Sequence, residues 1–331
     1  MEGVYVPVVT PFDSCGDLDL DALAAVVERV LSAGVRGIVA CGTTGEYYAL
    51  TEAERIAVMR TAHTATAGRA LLVAGCNAGA TRQSVALAIA ASDLGYDALM
   101  LAAPATSLPQ QHELAAHFVA VAESAGLPTI LYNYPARAGV EIGLECLDRV
   151  AGHPLIVGLK ESSGDFSRLL VVRHRYAGEL AIMCGSDDQA ADYFFWGVRG
   201  WLAGTANVLP RQHVEILEAA NSGDHDRARR LFERLLPWLQ HMEAGAYNQK
   251  AKLGLRHLGL DCGEDPPDGV VDAVEMVQLL GRGSAGHVEG RAEITRALLP
   301  LRVDLDGCGA RGGLHQRRAA SSTSTSAAAA S

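Results

Sequence analysis

Several signatures of particular protein classes are missing from this chain of 331 residues. No apolar run reaches the roughly 18 residues that a membrane-spanning helix needs. The N-terminus, MEGVYVPVVTPFD, lacks the basic region and the hydrophobic core of a signal peptide. We therefore expect a cytoplasmic protein with no membrane partner.

Basic residues are also scarce: 28 Lys and Arg face 38 Asp and Glu, which gives a formal net charge of −10. Neutralising a phosphate backbone takes clustered basic residues, and no basic stripe is visible. Seven scattered cysteines, an odd number without a CxxC pair, predict neither a disulfide framework nor a zinc site. We expect no nucleic-acid partner and a reducing compartment.

Aromatic residues make up only 5% of the chain, whereas glycine is frequent, with 35 residues. This usage is typical of helices that pack closely on a parallel sheet with many short, glycine-containing loops. The hydrophobic fraction of 49% is enough for one large or two medium domains.

Short apolar runs alternate with segments of helical period about every 25 to 35 residues, which predicts βαβ units and a parallel sheet. Eight strands, each followed by a helix, favour a (β/α)8 barrel, an α/β fold, over an open sheet. The predicted strands are residues 3–9, 37–40, 70–75, 98–102, 129–133, 155–160, 180–185 and 200–204. The predicted barrel helices are residues 20–33, 51–65, 82–94, 111–125, 144–151, 166–176, 189–196 and 214–221.

Beyond Asn207 the pattern is purely helical. It predicts a barrel domain over residues 1–222 and a C-terminal helical domain over residues 223–300. The helices of the second domain are expected at 224–243, 247–257, 270–280 and 288–299. Residues 301–331 end in SSTSTSAAAAS, which has too little apolar content to fold, so we expect a disordered tail.

The run LIVGLKESSGD, residues 155–165, ends a predicted buried strand on Lys160. Desolvation disfavours the charged form of a lysine, and the neutral amine is the nucleophile that attacks a ketone. Lys160 is therefore a candidate Schiff-base residue. The ordinary alternative is a solvated lysine at a strand end that pairs with Glu161 or Asp165.

Other strand ends carry polar groups that would meet Lys160 at the carboxyl rim of a barrel, where the active sites of this fold lie. Thr43 and Thr44 follow the second strand, Tyr132 lies at the end of the fifth, and Arg137 comes shortly after it. Each also has an ordinary role as a turn, rim or loop residue. Their convergence on one rim predicts a site for Schiff-base chemistry with proton transfer.

Four motifs are together highly specific: GTTGE at 42–46, YNYPARAG at 132–139, GLKESSGD at 158–165, and GSDD with TANV beginning at 185 and 205. From Val4 to about Leu260 the sequence resembles the dihydrodipicolinate synthase and N-acetylneuraminate lyase family of pyruvate-type aldolases. The resemblance implies a TIM barrel with a C-terminal helical domain and assembly as a homotetramer of tight dimers. It also implies that no metal or organic cofactor is used.

Roles for individual residues follow from the same resemblance. Lys160 matches the lysine that condenses with pyruvate or another 2-oxo acid, and Tyr132 matches the tyrosine that relays protons. Thr43 and Thr44 match the pair that holds the substrate carboxylate, and Thr44 also belongs to the relay. The chain is thus expected to be a lyase, that is, an aldolase, dehydratase or synthase acting on a 2-oxo acid.

Three further positions match the substrate pocket of the family. Arg137 matches an arginine at the mouth of the site that, in the synthases, meets the carboxylate of the second substrate. Gly185 and Leu202 match positions whose backbone carbonyls line the pocket of the lysine.

One departure concerns the loop after the fourth strand, where the synthases carry two tyrosines after a proline. Here Pro104 is followed by Ala105 and Thr106, so a threonine stands where a relay phenol is expected. A threonine hydroxyl is shorter and far less acidic than a phenol. The alternative function, 4-hydroxy-tetrahydrodipicolinate synthase proper with pyruvate and aspartate semialdehyde as substrates, is therefore disfavoured.

Two rival functions stay open. A barrel that uses pyridoxal phosphate or a phosphorylated sugar also forms an imine on lysine, but Asp187 and Asp188 stand where its phosphate would bind. A catalytically silent homologue would bind a 2-oxo acid and lack the chemistry, and Thr106 together with the tail is its support.

Overall fold

The computed structural model describes residues 1–263. Eight parallel strands close into a barrel in sequence order, with the last strand hydrogen-bonded to the first. This arrangement confirms the predicted (β/α)8 TIM barrel. The strands are β1 Gly3–Pro7, β2 Gly37–Ala40, β3 Leu71–Gly75, β4 Ala98–Ala102, β5 Thr129–Asn133, β6 Ile156–Glu161, β7 Ala181–Cys184 and β8 Gly200–Leu202.

Helices alternate with the strands around the outside of the barrel and continue beyond it. They are α1 Leu20–Leu31, α2 Glu52–Thr66, α3 Thr81–Asp93, α4 Gln111–Ala125, α5 Pro135–Ala138, α6 Leu144–Val150, α7 Phe166–Arg175, α8 Ala190–Phe195, α9 Pro210–Asn221, α10 His225–Glu243 and α11 Tyr247–His257. Short 3-10 helices lie at Tyr47–Ala49, Asp187–Gln189 and Thr205–Asn207.

Two differences from the predicted elements have local causes. Helix α9 begins at Pro210 rather than at Val214, because proline has a φ suited to the first turn of a helix and needs no N–H partner there. The prediction missed α5, which also begins on a proline, Pro135. The 3-10 helices are too short for a helical period to reveal.

The barrel strands bury both faces, which explains why their sequences are continuous apolar runs rather than alternating ones. Side chains that point inward form one cluster, and those that point outward form a larger core with the helices. The inner cluster consists of Tyr5, Val39, Val73, Ala98, Met100, Ile130, Tyr132, Met183 and Leu202. Tyr132 and Leu202, two of the predicted site residues, therefore belong to the barrel interior.

The strand register brings reactive side chains to one end of the barrel. Tyr132 in β5 lies level with Lys160 in β6, which in turn lies level with Met183 in β7. Because all eight strands run in the same direction, the residues that follow them meet at one rim. Helix α10 contacts α9 and the 3-10 helix Asp187–Gln189, so the helices after the barrel lie against this rim.

The predicted domain boundary between residues 222 and 223 falls in the turn between α9 and α10. The division into two domains stays a prediction. The predicted helices at 270–280 and 288–299 and the tail at 301–331 lie outside the described residues. Within residues 1–263, no helix has the length and apolar character needed to cross a membrane.

Candidate active site

Lys160 lies near the carboxyl end of β6 with only 6% of its surface exposed. Its Nζ lies 4.0 Å from the centroid of the Tyr132 ring. Burial lowers the pKa of Lys160 to about 8, although the negative charges of Asp187 and Glu243 oppose the shift. Part of this amine is therefore neutral, and nucleophilic, near neutral pH.

The two carboxylates that the sequence offered as partners of Lys160 are engaged elsewhere. Glu161 forms a salt bridge of 2.8 Å with Arg168 and accepts two hydrogen bonds of 3.0 Å from the Asn133 amide. Asp165 caps the N-terminus of α7. Lys160 is thus neither solvated nor paired as the ordinary alternative requires.

Tyr132 stands beside Lys160 and is buried. Burial raises the pKa of its phenol far above the usual value, while the nearby hydroxyls of Thr43 and Ser162 counteract the rise. The phenol therefore keeps its proton at neutral pH. It can donate that proton to an oxygen that approaches Lys160 and take another in return.

The turn after β2 presents Thr43 and Thr44 to the same space. Cys41 and Glu46, on either side, both have a φ of +54°, in the left-handed region that residues other than glycine seldom adopt. The chain therefore bends sharply here. As a result, Thr44 is buried and Thr43 half-buried beside the amine of Lys160.

The sequence predicted three further residues of the substrate pocket: Gly185, Leu202 and Arg137. A Cβ at Gly185 would lie 2.6 Å from Cε of Lys160, so a larger residue would displace the lysine chain. Leu202 is buried at the end of β8. The Arg137 guanidinium lies 6.0 Å from the centroid of the Tyr134 ring, and a hydrogen bond with Tyr134 raises the pKa of Arg137. Arg137 therefore keeps its positive charge.

One cavity of about 70 Å³ is lined by all seven residues that the sequence singled out, and by eight others. The predicted seven are Thr43, Thr44, Tyr132, Arg137, Lys160, Gly185 and Leu202. The eight that were not predicted as site residues are Tyr48, Tyr134, Ser162, Ser186, Gly204, Glu243, Tyr247 and Asn248. In the part of the chain that the structure describes, no group of three or more His, Cys, Asp or Glu side chains is placed to hold a metal ion.

Tyr247 is held by a buried hydrogen-bond network. Its hydroxyl donates to Oδ2 of Asp187 at 2.6 Å. The same carboxylate accepts from the Thr205 hydroxyl at 2.7 Å and from Nε1 of Trp201 at 2.8 Å. Asp187 is thus a satisfied buried acceptor that fixes the position of the Tyr247 ring against the cavity.

Thr106, which stands where the synthases of the family have a relay tyrosine, lies in the loop between β4 and α4. Thr106 is exposed and has a φ of +76°, which is costly for a β-branched residue. It is not among the residues that line the Lys160 cavity. Ala105 instead borders a neighbouring cavity of about 250 Å³, which shares Tyr132 and Arg137 with the first. The short side chains of this loop therefore leave space beside the site.

Comparison with known proteins decides the family. The model of the dihydrodipicolinate synthetase family matches residues 1–278, well over half of the chain. The chain belongs to this family. Members of the dihydrodipicolinate synthetase family are Schiff-base-forming, pyruvate-dependent lyases, and the chain is accordingly an enzyme of the lyase class, as its sequence predicted.

Curated relatives of this family member include two bacterial enzymes named 4-hydroxy-tetrahydrodipicolinate synthase. The protein from Exiguobacterium sibiricum is 36% identical over 286 residues, which cover 86% of this chain and 94% of the relative. The second relative is 4-hydroxy-tetrahydrodipicolinate synthase 1 from Streptomyces coelicolor. It is 39% identical, and the alignment covers 77% of this chain and 84% of the relative.

Solved structures of the family have the same fold. Dihydrodipicolinate synthase from Aquifex aeolicus aligns with a TM-score of 0.80 at 29% identity, over 85% of this chain and 96% of that one. The chloride-inhibited dihydrodipicolinate synthase from Acinetobacter baumannii, solved with pyruvate, aligns with a TM-score of 0.80 at 32% identity, over 85% and 97% of the two chains.

Proposed function

We propose that this member of the dihydrodipicolinate synthetase family forms a Schiff base between Lys160 and the keto group of pyruvate or another small 2-oxo acid. The observation that carries the proposal is the buried amine, whose pKa of about 8 leaves part of it neutral. Gly185 leaves room for the lysine chain, and Leu202 lines the same cavity. The pyruvate bound to the Acinetobacter relative supports the choice of ligand.

The chemistry begins when the Lys160 nitrogen attacks C2 of the 2-oxo acid. The C2–O bond then breaks with loss of water, and an imine remains. Because the protonated imine withdraws electrons, a proton leaves C3 and an enamine forms. In the synthetic direction, C3 of the enamine attacks the carbonyl carbon of an acceptor and forms a C3–C4 bond. In the reverse direction, this C3–C4 bond breaks. Hydrolysis of the imine frees the lysine.

Four residues serve this reaction in our proposal. Thr43 and Thr44 hold the carboxylate of the 2-oxo acid with hydroxyl and backbone N–H groups. Tyr132 relays protons between the substrate oxygens and Thr44. Arg137, whose planar guanidinium suits a carboxylate, binds the second substrate at the mouth.

A second candidate is 4-hydroxy-tetrahydrodipicolinate synthase, the activity for which the curated relatives are named. Ala105 and Thr106 oppose it, because the loop supplies no phenol for the relay. We therefore propose an acceptor other than aspartate semialdehyde, with a deoxy sugar acid as the corresponding substrate of an aldolase or dehydratase.

Borohydride reduction after incubation with pyruvate tests the proposed imine. The chain has only three lysines, Lys160, Lys250 and Lys252, so mass spectrometry of peptides can assign an adduct without ambiguity. We expect the adduct on Lys160 alone, and its loss in Lys160→Ala. Labelling of Lys250 or Lys252 instead, or of no lysine with any 2-oxo acid tried, would refute the proposal.

We also infer a cytoplasmic homotetramer, a dimer of dimers. The six cysteines within the described residues are all free of disulfides, which suits a reducing compartment. Exposed aromatic side chains on α8, Phe195 and the adjoining Trp196, support an assembly of several subunits.

A further inference from the structure

Glu243 is the one carboxylic acid among the described residues that line the Lys160 cavity. It is the last residue of α10, where the negative end of the helix dipole disfavours a carboxylate. The chain then turns through Ala246, which has a φ of +48°, so that the next helix begins with Tyr247 at the same cavity. Two neighbouring helix ends therefore bring polar side chains to the mouth of the site.

The groups around Glu243 favour its protonated form. Burial and the negative charges of Asp187 and Asp188 raise the pKa of Glu243 to about 7, while the Asp187 backbone N–H and the Lys160 amine act in the opposite direction. The side chain nevertheless reaches solvent at the mouth. A carboxyl group near half protonation, in contact with water, can both give and take a proton in each turnover.

Its neighbours at the mouth do not offer this chemistry. Arg137 keeps its proton at any pH that the protein tolerates. The Tyr247 hydroxyl donates to Asp187, and burial and that charge raise its pKa well above the usual value. Thr106 has no acidic hydroxyl to offer. Of these four groups, Glu243 is therefore the one suited to both giving and taking a proton.

We propose that Glu243 is a further catalytic acid–base residue, which acts on the acceptor oxygen in place of the phenol that the β4–α4 loop lacks. The proposal rests on the imine at Lys160. In a dehydration, the proton of C3 passes to water, the electron pair of the resulting enamine forms the C3–C4 double bond, and the C4–O bond breaks. The departing oxygen takes the proton of Glu243 and leaves as water. Glu243 then regains a proton from water, and hydrolysis of the imine releases the unsaturated 2-oxo acid.

In an aldol cleavage Glu243 acts first as the base. Its carboxylate takes the proton of the C4 hydroxyl, the C3–C4 electron pair moves into the enamine on Lys160, and an aldehyde leaves. The enamine then receives a proton at C3, and hydrolysis releases the 2-oxo acid. Glu243 returns its proton to water, so protons and electrons balance over the turnover.

The test compares the full-length wild-type enzyme with Glu243→Gln and with Glu233→Gln, an exposed glutamate on the same helix. The first measurement is cyanoborohydride trapping with pyruvate. The second is turnover of synthetic 4-hydroxy-2-oxo acids of four to seven carbons, followed across pH. For Glu243→Gln we expect kcat to fall about a hundredfold and the pH-dependent limb near 7 to disappear, while trapping falls far less. Glu233→Gln should match the wild type.

Every other result contradicts either the acid–base role of Glu243 or the proposed function. An unchanged kcat and pH profile in Glu243→Gln, or an equal loss of trapping and turnover, would overturn the acid–base role. Trapping by the wild type without turnover of any 4-hydroxy-2-oxo acid would overturn that role and leave the imine at Lys160 standing. Failure of the wild type to trap pyruvate or any other 2-oxo acid would instead refute the proposed function itself.

Discussion

At the scale of single residues, the reactivity of Lys160 depends on its surroundings. Because burial lowers its pKa from 10.5 to about 8, roughly one amine in ten is neutral at pH 7, against fewer than one in a thousand for a solvated lysine. We expect the rate of pyruvate trapping by cyanoborohydride to rise with pH and to level off above about pH 8. A rate that keeps rising towards pH 10 would indicate a solvated lysine.

Tyr132 allows the proton relay to be separated from imine formation. Tyr132→Phe removes the hydroxyl and keeps the ring beside Lys160, so trapping with pyruvate should persist. Exchange of the pyruvate methyl protons in D2O, followed by NMR, should slow by about a hundredfold or more. Tyr193→Phe is the control, because this buried hydroxyl has no hydrogen-bond partner among residues 1–263. Equal exchange rates in the wild type and Tyr132→Phe would exclude the relay role.

At the scale of elements, the end of β6 is held by a buried ion pair. Glu161 and Arg168 have side chains that are 1% and 8% exposed, and Arg168 connects α7 to the strand that carries Lys160. Arg168→Met would leave the Glu161 carboxylate buried without its charge partner. We expect a loss of about 3 kcal/mol in the free energy of unfolding, measured by urea denaturation.

Arg175→Met on the same helix is the matched control for Arg168→Met. Arg175 pairs with Asp148 at the surface, where both side chains are about half exposed, so its loss should change the urea midpoint little. If the two variants were equally destabilised, the loss of stability would result from changing α7 and not from breaking the buried ion pair.

The elements that the sequence predicted best are those with strong local patterns. Strands β2, β4 and β5 and helices α4 and α11 begin and end at the predicted residues, because their apolar periods stop at turn or capping residues. The same reasoning found the cavity-lining residues that end strands or directly follow them, since the barrel rim collects them.

Other site residues depend on contacts that no local pattern encodes. Glu243 and Tyr247 reach the cavity only because α10 packs on the 3-10 helix that contains Asp187. Which face of such a helix meets the rim is a property of tertiary packing. Ser162 was within reach of prediction: it directly follows β6 and comes two positions after Lys160, the spacing at which side chains of an extended chain share a face.

At the scale of the whole molecule, the surface of one chain retains an aromatic patch. Phe195 and Trp196 at the end of α8 are 74% and 42% exposed, and their ring centroids lie 5.7 Å apart. Two adjacent exposed aromatic rings are unusual on a monomer and typical of the centre of an interface. The predicted homotetramer would cover this patch.

Light scattering coupled to size-exclusion chromatography tests that assembly. We expect a mass of about four times 34.8 kDa for the wild type. Replacing both Phe195 and Trp196 by serine removes the apolar area that would drive association, so the mass should fall to that of a smaller oligomer. Val171→Ser, which changes another exposed apolar residue, should leave the mass unchanged. A wild-type mass of one subunit would contradict the tetramer, and a tetramer that survives the double substitution would show that this patch lies outside its interfaces.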